Sequence, residues 1–538
     1  MAKLGIFAIF VRFHATADAK SRIFADFVRF RERREPGWHH LCEKRRNFAF
    51  MKRLIPILAG CLAAISAAAQ TPVQQYIDRA SEEGALAGTS VSIMVRDAAG
   101  NVVAAHNPDT RMTPASNTKL ITTGCALHAF GPDYRFKTGL GYTGRIADGT
   151  LEGDLYILGG GDPTLGAQDS IAYRPEALFW KWKTLLRLSG IERIHGRIIG
   201  DGSAYEGHLE HASWNYDDTG TYYGTGMNGL CFYENAIDYD VAAGPEAGSP
   251  VQFTQVYPET PWMNTLNYGV TGPKGTGNSL YLYTTDLAPY AQLRGTFALD
   301  RRPKTEHFAN KYGDLTCAYY FWKNLKETGW EVTGGYARVN RSGHISGADE
   351  SHEEPAAKPV LMGSTESPKI SDIARLTNWR SDNFYAESFL RAMGEAATRS
   401  ASYDSCHVAI YDVLEGLGLS TDTIQLADGS GLSRNNSISA RWMTDYLLAM
   451  EKSPAFDAFL SSLPAPGQGT LSVVKLSQGQ RVRMKSGSMD GVLCYSGYIL
   501  DRSGKPLYTF SILTNNALAP VREVRTALMG FLEFLLSL

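Results

Sequence analysis

Apolar and polar positions alternate near both ends of the chain, and this alternation predicts one β-hairpin at each end. Residues 90–95 and 102–105 form the first hairpin, and residues 495–500 and 507–513 form the second. Apolar runs with helical spacing flank both hairpins. They predict helices over residues 73–83, 116–130, 370–379, 384–397, 440–450 and 520–536. We therefore expect the two ends to meet in one sandwich domain.

The middle of the chain, residues 141–360, has a different pattern. It is richer in Gly, Tyr and Asp, and its apolar runs are short and alternating. Only residues 175–188 and 318–328 have the length and spacing of helices. We therefore expect an α+β fold, with one domain made from residues 70–140 and 361–538 and a mostly β insertion between them.

A segment near the start has the organisation of an export signal. A basic start at residues 51–53 precedes the apolar run 54–65, and small residues before Gln70 suit cleavage there. The run is too short to cross a bilayer, so no transmembrane anchor is expected after cleavage. Residues 51–69 are thus predicted to be a signal peptide, residues 1–50 a non-native upstream extension, and the mature protein periplasmic.

Two alternatives for the start of the chain stay open. Residues 58–61 match the pattern at which bacterial lipoproteins are cleaved and acylated, which would anchor the protein through Cys61. The residues after Cys61 are apolar, whereas a lipoprotein tether is normally polar, so the soluble exported form is favoured. A genuine cytoplasmic extension is the alternative interpretation of residues 1–50.

Removal of the predicted leader changes the charge of the chain. The full sequence has a net charge of −2, but residues 1–53 hold 13 Lys and Arg against 5 Asp and Glu. The remainder therefore has 40 basic and 50 acidic residues. Because nucleic-acid binding needs a basic surface that neutralises phosphates, we expect no nucleic-acid partner and favour a compact polar substrate.

The cysteines give no sign of a disulfide framework or a metal site. Those that follow the predicted cleavage point are Cys125, Cys231, Cys317, Cys406 and Cys494. They are odd in number and far apart, and they lack metal-ligand spacing with histidine. We expect buried free thiols and no metal.

Ser116 and Lys119 have the spacing of a serine nucleophile and its base. They lie one turn apart on a predicted helix, near an N-terminus that favours negative charge on the serine oxygen. Burial and a neighbouring cation can lower the pKa of such a lysine until it accepts the serine proton. Acyl transfer also needs oxyanion donors and a group for the substrate carboxylate.

Each short motif of this kind occurs more than once. The Ser-x-x-Lys, Ser-x-Asn and Lys-[Ser/Thr]-Gly patterns are also matched at residues 472–475, 213–215, 381–383, 433–435, 137–139 and 485–487. Lys137 precedes every Ser-x-Asn match and is interpreted as the edge of a strand, and Ser472 lies too close to Lys485. Order along the chain therefore leaves residues 116–119, 381–383 and 485–487 as one set.

Longer stretches in the same order resemble one enzyme family. Residues 153–165, 196–201, 381–387 and 428–434 resemble the class C low-molecular-mass penicillin-binding proteins, the D-alanyl-D-alanine carboxypeptidase/endopeptidase family. The resemblance covers essentially the whole mature chain. It implies a penicillin-recognising serine D,D-peptidase sandwich, an antiparallel sheet with helices on both faces, and two nested domains within residues 141–360.

The resemblance also implies the roles of the catalytic residues. Ser116 would be the nucleophile and Lys119 its general base. Ser381 would pass a proton to the leaving amine, and Asn383 would hold the substrate amide. Lys485 would supply positive charge to the site.

The same resemblance implies how the substrate is bound. Ser486 and Gly487 would lie along the strand that pairs with the substrate backbone, and the N–H groups of Ser116 and Ser488 would form the oxyanion hole. Ser486 stands where the family usually has threonine. Because the hydroxyl is retained, binding of the terminal carboxylate should be retained too.

The function that the resemblance implies is hydrolysis of the terminal D-Ala-D-Ala bond, or of cross-links, in peptidoglycan. The reaction would pass through an acyl-enzyme on Ser116, without metal or organic cofactor. Peptidoglycan peptides and β-lactams are the expected partners. A serine β-lactamase and a non-catalytic cell-wall-binding protein with the same fold are the alternatives.

Overall fold

The computed structural model describes residues 71–340, 342–347 and 353–538. The predicted upstream extension (1–50), the signal peptide (51–69) and the alternative anchor at Cys61 lie outside the described residues, so these stay predictions. Within the described residues, no helix combines the length and apolar character needed to cross a bilayer.

The described part of the chain contains both helices and strands. In chain order the helices are α1 (Pro72–Glu82), α2 (Thr118–Phe130), α3 (Pro175–Leu188), α4 (Gly313–Glu327), α5 (Ile370–Arg380), α6 (Asn383–Thr398), α7 (Tyr403–Gly416), α8 (Ala440–Met450), α9 (Phe456–Ser462) and α10 (Val521–Leu536). The strands are β1 (Ser90–Asp97), β2 (Val102–His106), β3 (Arg111–Met112), β4 (Lys137–Tyr142), β5 (Arg145–Ala147), β6 (Thr150–Glu152), β7 (Leu155–Leu158), β8 (Arg193–His195), β9 (Ile198–Asp201), β10 (Ala236–Ala242), β11 (Gln252–Tyr257), β12 (Asn264–Asn267), β13 (Val270–Gly272), β14 (Tyr281–Thr284), β15 (Tyr290–Arg294), β16 (Thr296–Ala298), β17 (Lys304–Ala309), β18 (Glu331–Val332), β19 (Tyr336–Val339), β20 (His344–Ser346), β21 (Glu354–Pro355), β22 (Val360–Glu366), β23 (Ile438–Ser439), β24 (Val482–Met489), β25 (Val492–Leu500) and β26 (Pro506–Asn515).

One five-stranded sheet joins the two ends of the chain. Its order is β2-β1-β26-β25-β24, and every neighbouring pair is antiparallel. The first predicted hairpin is β1 and β2, and the second is β25 and β26. Because β1 pairs with β26, from Ser90 opposite Asn515 to Asp97 opposite Tyr508, both hairpins belong to one sheet. β24 forms one edge of this sheet.

Helices cover both faces of the five-stranded sheet. Side chains alternate along a strand, so Ile93 and Val95 of β1 point to one face and Met94 to the other. Ile93 and Val95 share a buried core with residues of α1 and α10. Met94 shares a second core with residues of α2 and α5 to α9. This is the predicted α+β sandwich, in which α8 packs on β1, β25 and β26 and the turn just before α2 lies against β24 and β25.

The middle of the chain is mostly β, as predicted. Its largest sheets have the orders β21-β20-β19-β9-β7-β4-β22 and β18-β8-β6-β5, and a buried core with α3 and α4 lies against them. Most residues of β4 and β22 lie just outside the range 141–360. α3 has the predicted bounds, whereas α4 begins at Gly313 rather than at 318. Thr71–Leu538 forms a single unit by its contacts, so the predicted domain boundaries stay predictions.

The five cysteines of the described residues are buried with free thiols, as predicted. Burial raises the pKa of Cys494 to about 12, so this thiol stays protonated and unreactive at neutral pH. Among the described residues, no group of three or more His, Cys, Asp or Glu side chains could hold a metal ion.

Candidate active site

Ser116 lies in a 3-10 turn, Ala115–Asn117, immediately before α2. The predicted helix began at Ser116, but α2 begins at Thr118. The N–H of Asn117 donates to the carbonyl of Pro114 at 3.1 Å, which closes a tighter turn than an α-helix allows. Ala115 also has a positive φ of 46°, outside the helical region. The turn therefore presents Ser116 ahead of the helix rather than within it.

Lys119 connects Ser116 to two other parts of the chain. Its Nζ lies 3.1 Å from Ser116 Oγ, 2.6 Å from Asn383 Oδ1 and 2.6 Å from the carbonyl oxygen of Ser430. The amide and carbonyl oxygens can only accept, so each takes one N–H of the amine. The position of Nζ that remains faces Ser116, and in the neutral amine it carries the lone pair. This geometry suits transfer of the hydroxyl proton from Ser116 to Lys119.

The orientation of the Asn383 amide follows from a second contact. Its Nδ2 donates to the carbonyl oxygen of Tyr223 at 2.9 Å, which turns Oδ1 towards Lys119. Tyr223 belongs to the middle of the chain, so the insertion helps to orient a residue of the site.

The electrostatic environment of Lys119 favours a base. Burial lowers the pKa of Lys119 to about 8, although the charges of Asp428, Asp382 and Glu387 oppose the shift. About a tenth of a lysine with this pKa is neutral at pH 7, whereas the neutral fraction of an ordinary lysine is below about a thousandth. The site can therefore hold an amine that accepts protons near neutrality.

Ser381 and Lys485 form a second pair. Lys485 Nζ donates to Ser381 Oγ at 2.9 Å and to the carbonyl oxygen of Ser486 at 2.6 Å. Ser381 ends α5 in the left-handed conformation, with φ 61°, and Asp382 caps α6 by accepting from the N–H of Tyr385 at 3.0 Å. This tight connection between two helices directs Ser381 to one lysine and Asn383 to the other.

The charge of Lys485 depends on what it binds. Burial, and then the nearby charge of Lys119, hold the pKa of Lys485 well below its ordinary value. An anion beside the amine would favour its charged form. The positive charge that the resemblance implies for Lys485 therefore depends on a bound anion. A substrate carboxylate would raise the pKa of the amine and favour its protonated form.

Lys485, Ser486, Gly487 and Ser488 lie on β24, the edge strand next to the Ser116 turn. A Cβ on Gly487 would lie 2.5 Å from the Pro114 carbonyl oxygen and 2.9 Å from the Ser116 nitrogen. Only glycine therefore lets the strand approach the turn this closely. The unpaired side of an edge strand can bind an extended peptide by main-chain hydrogen bonds.

Two carboxylates that the sequence analysis did not assign support the site. Glu387 accepts from the N–H groups of Gly429 and Ser430 at 3.1 and 2.8 Å, and so holds the Ser430 carbonyl against Lys119. Asp428 accepts from the N–H of Gly431 at 2.8 Å. Both acids lie within stretches that carried the family resemblance, which was their only signal. Burial raises the pKa of Glu387 to about 7.

Thr470 is a further neighbour that no motif indicated. Its Oγ1 lies 2.9 Å from Ser486 Oγ, the hydroxyl that replaces the family's usual threonine at this position. Thr470 lies in a short 3-10 turn, Gly469–Leu471, that the sequence analysis did not predict. The contact fixes one side of the Ser486 hydroxyl beside the cleft.

Arg380 ties the same region to the middle of the chain. It donates to Asp169, which also accepts from the hydroxyl of Tyr385, and it lies 2.9 Å from Asp382. Asp169 belongs to the insertion, whereas the other three residues lie at the connection of α5 and α6. A residue of the insertion thus stabilises the connection between α5 and α6 that contains Ser381.

Among the described hydrogen bonds, none joins the competing motif matches to Ser116, Lys119 or Lys485, although the N–H of Ser433 donates to Asp428 at 2.7 Å. Ser472 and Lys475 are both exposed, and Lys137 begins β4. Ser213 and Ser433 contact each other, with 2.5 Å between their Oγ atoms. Of the predicted residues, Ser116, Lys119 and Asn383 share one hydrogen-bonded group, and Ser381, Lys485 and Ser486 share a second.

The sequence as a whole is similar to that of known proteins. The model of the D-Ala-D-Ala carboxypeptidase 3 (S13) family matches residues 73–534. A D-alanyl-D-alanine carboxypeptidase from Actinomadura sp. is 26% identical over 473 residues, which cover 85% of this chain and 84% of that protein.

Solved structures show the same fold. The crystal structure of penicillin binding protein 4 from Haemophilus influenzae has a TM-score of 0.72 and 22% identity, covering 87% of this chain and 98% of its own. A second crystal structure of that protein, complexed with a novel β-lactam, has a TM-score of 0.67 and 21% identity, over 86% of this chain and 98% of its own. These similarities confirm the predicted fold class.

Proposed function

Because the chain belongs to the D-Ala-D-Ala carboxypeptidase 3 (S13) family, we propose that Ser116 is the nucleophile of its reaction. The protein is a serine-type D-alanyl-D-alanine carboxypeptidase/endopeptidase that acts on peptidoglycan. The observation that carries the assignment is the 3.1 Å contact between Ser116 Oγ and the buried amine of Lys119.

Acylation begins with proton transfer from Ser116 to Lys119. The serine oxygen attacks the carbonyl carbon of the penultimate D-alanine, and the N–H groups of Ser116 and Ser488 stabilise the oxyanion. Ser381 donates a proton to the leaving nitrogen as the C–N bond breaks and D-alanine departs, and Ser381 regains a proton from the charged amine of Lys485, which donates to its Oγ at 2.9 Å. Water then hydrolyses the ester on Ser116.

Substrate binding uses the edge strand and its charged residue. An extended peptide adds to β24 beside Gly487, and Asn383 holds its amide. The terminal carboxylate binds Ser486 and Lys485, and its negative charge favours the protonated amine of Lys485. β-Lactams acylate Ser116 in the same position.

The enzyme is tested by comparing two activities of the purified protein. We expect release of D-alanine from a short peptide that ends in D-Ala-D-Ala, and nearly stoichiometric acylation by nitrocefin with slow turnover. Rapid steady-state hydrolysis of nitrocefin without release of D-alanine would instead support the alternative of a serine β-lactamase. A folded protein that shows neither activity would support a non-catalytic wall-binding role.

The acylation rate is expected to rise with pH towards about 8. Lys119 acts as a base only when neutral, and below its pKa the neutral fraction rises about tenfold with each pH unit. Its lowered pKa, about 8, puts this rise near neutrality. The second-order rate constant for acylation by benzylpenicillin, measured between pH 6 and 9, checks this. A rate that is constant from pH 6 to 8 would contradict the role of Lys119.

We also propose that the mature enzyme is periplasmic and that residues 141–360 are a double insertion. The predicted signal peptide, residues 51–69, and the extracytoplasmic substrate support export, with lipid anchoring at Cys61 as the alternative. The five-stranded sheet, which contains strands only from residues 70–140 and 361–538, supports the domain division.

A further inference from the structure

An exposed group of tyrosines covers the outward face of the sheet β12-β15-β14. Leu282, Ala291 and Leu293 of this sheet point into a buried core, so alternate positions on the same strands face outward. Tyr281, Tyr283 and Tyr290 lie on these strands, and Tyr216 and Tyr268 lie beside them. These five residues are called the tyrosine face below. Tyr216 is 73% exposed and Tyr268 is 54% exposed. An exposed patch of large rings commonly marks a binding surface.

The rings of the tyrosine face are held in place by one another and by one cation. Tyr216 stacks on Tyr283, with ring centroids 5.2 Å apart and an interplanar angle of 27°. The guanidinium of Arg294 lies 5.5 Å from the centroid of Tyr268 and 6.0 Å from that of Tyr283. A surface that is ordered before it binds loses less conformational entropy on binding.

Polar groups run between the rings. Tyr283 donates its hydroxyl proton to the hydroxyl of Tyr281 at 2.7 Å, and Gln292 Nε2 donates to the hydroxyl of Tyr290 at 2.9 Å. Arg294 donates to Gln292 Oε1 at 2.8 Å. The face therefore offers apolar ring surfaces together with fixed hydroxyl, amide and guanidinium groups.

One tyrosine of this face, Tyr216, lies in a segment that contacts the candidate active site. Trp214 Nε1 donates to Asp428 Oδ2 at 2.8 Å, and the carbonyl of Tyr223 accepts from Asn383 Nδ2 at 2.9 Å. Tyr216 lies between Trp214 and Tyr223 in the chain. The segment that carries this exposed ring thus contacts Asp428 near one end and Asn383 at the other, which connects the tyrosine face to the candidate site.

We propose that the tyrosine face binds the glycan strand of peptidoglycan while a stem peptide of that strand occupies the cleft. This rests on the proposed function, because the stem peptide is attached to the glycan. A saccharide has C–H faces that pack on aromatic rings and hydroxyl and acetamido groups that hydrogen-bond at its edges. The alternation of rings and polar groups on the tyrosine face fits that chemistry. The insertion would thereby select polymeric substrate over free peptide.

The test uses glycan strands freed of their stem peptides by amidase digestion as the probe. We expect the Tyr216→Ala/Tyr283→Ala variant to bind them about tenfold or more weakly than the wild type, since two stacked rings are lost. Tyr216→Ala alone, at a mostly exposed side chain, should show part of this loss with an unchanged thermal unfolding midpoint. Trp180→Ala, which removes an exposed ring on α3, is the matched control and should bind normally.

Activity measurements separate this proposal from the function of the site. For the double variant we expect a raised KM on intact peptidoglycan, but unchanged D-alanine release from a short peptide and unchanged acylation by penicillin. Equal glycan affinity of wild type and double variant, no glycan binding by the wild type, or equal losses in Trp180→Ala would each overturn the proposal. Failure of the proposed function would appear differently, as a wild type inactive on the short peptide.

Discussion

Ser116→Ala is expected to lose all covalent labelling by a fluorescent penicillin and to release D-alanine at least about ten-thousandfold more slowly than the wild type. The substitution removes only the hydroxyl and leaves the 3-10 turn and α2 intact. Labelling after denaturing electrophoresis and D-alanine release from a short peptide measure the two effects. Unfolding midpoints of both proteins should agree.

The chain supplies its own matched control for this experiment. Ser472 begins the other Ser-x-x-Lys tetrapeptide and is exposed. Ser472→Ala should therefore label and react as the wild type does. Persistent labelling of Ser116→Ala would show that another residue is the nucleophile.

Lys119→Met should slow acylation by about a thousandfold, within the range usual for loss of a general base. Methionine fills much of the buried space of the lysine stem but cannot accept the proton of Ser116. It also leaves Asn383 Oδ1 and the Ser430 carbonyl without their common donor, so part of the loss reflects poorer positioning. The second-order rate constant with benzylpenicillin measures the effect.

Two comparisons make the result specific to proton transfer. Lys475→Met, at the exposed second motif, should leave the rate unchanged. In Lys119→Met the residual rate should no longer rise as the pH approaches 8. A loss of less than tenfold, or a retained pH dependence, would mean that another group accepts the proton.

Much of the candidate site could be predicted because its chemistry resides in ordered short motifs. Ser116 and Lys119 are one turn apart, so local spacing alone brought them together. The match at Asn383 was chosen by its order along the chain and by the family resemblance, and the structure places its amide 2.6 Å from Lys119. Local pattern also predicted α3 and α8 with the bounds that the structure has.

The supporting contacts could not be predicted in the same way. Backbone carbonyls, such as those of Ser430 and Tyr223, have no sequence signature, and their positions depend on packing between distant segments. Thr470 contacts Ser486 from a 3-10 turn, Gly469–Leu471, which has no sequence motif. The tight turn at Ser116 depends on a positive φ at Ala115. A positive φ is uncommon for alanine, so the sequence does not predict it.

Two helices, α7 and α9, were missed, although the pattern of α7 was present in the sequence. Within α7, Cys406, Ala409, Ile410 and Leu414 are buried at helical spacing. Cysteine and alanine are small, so the buried and exposed faces of this helix differ less in hydrophobicity than those of most amphipathic helices. The prediction depends on that difference. The helix is recognised only when its packing against α6 is known.

The insertion contacts Asn383 and Arg380 through Tyr223 and Asp169, and these contacts limit how far the protein can be shortened. A minimal version that joined residue 140 directly to residue 361 would keep every motif residue, yet it would lack the Tyr223 carbonyl and the Asp169 carboxylate. The amide of Asn383 would then be free to rotate away from Lys119. In this architecture the added region supplies two of the polar contacts that orient the candidate site, so its removal would change the site as well as the size of the protein.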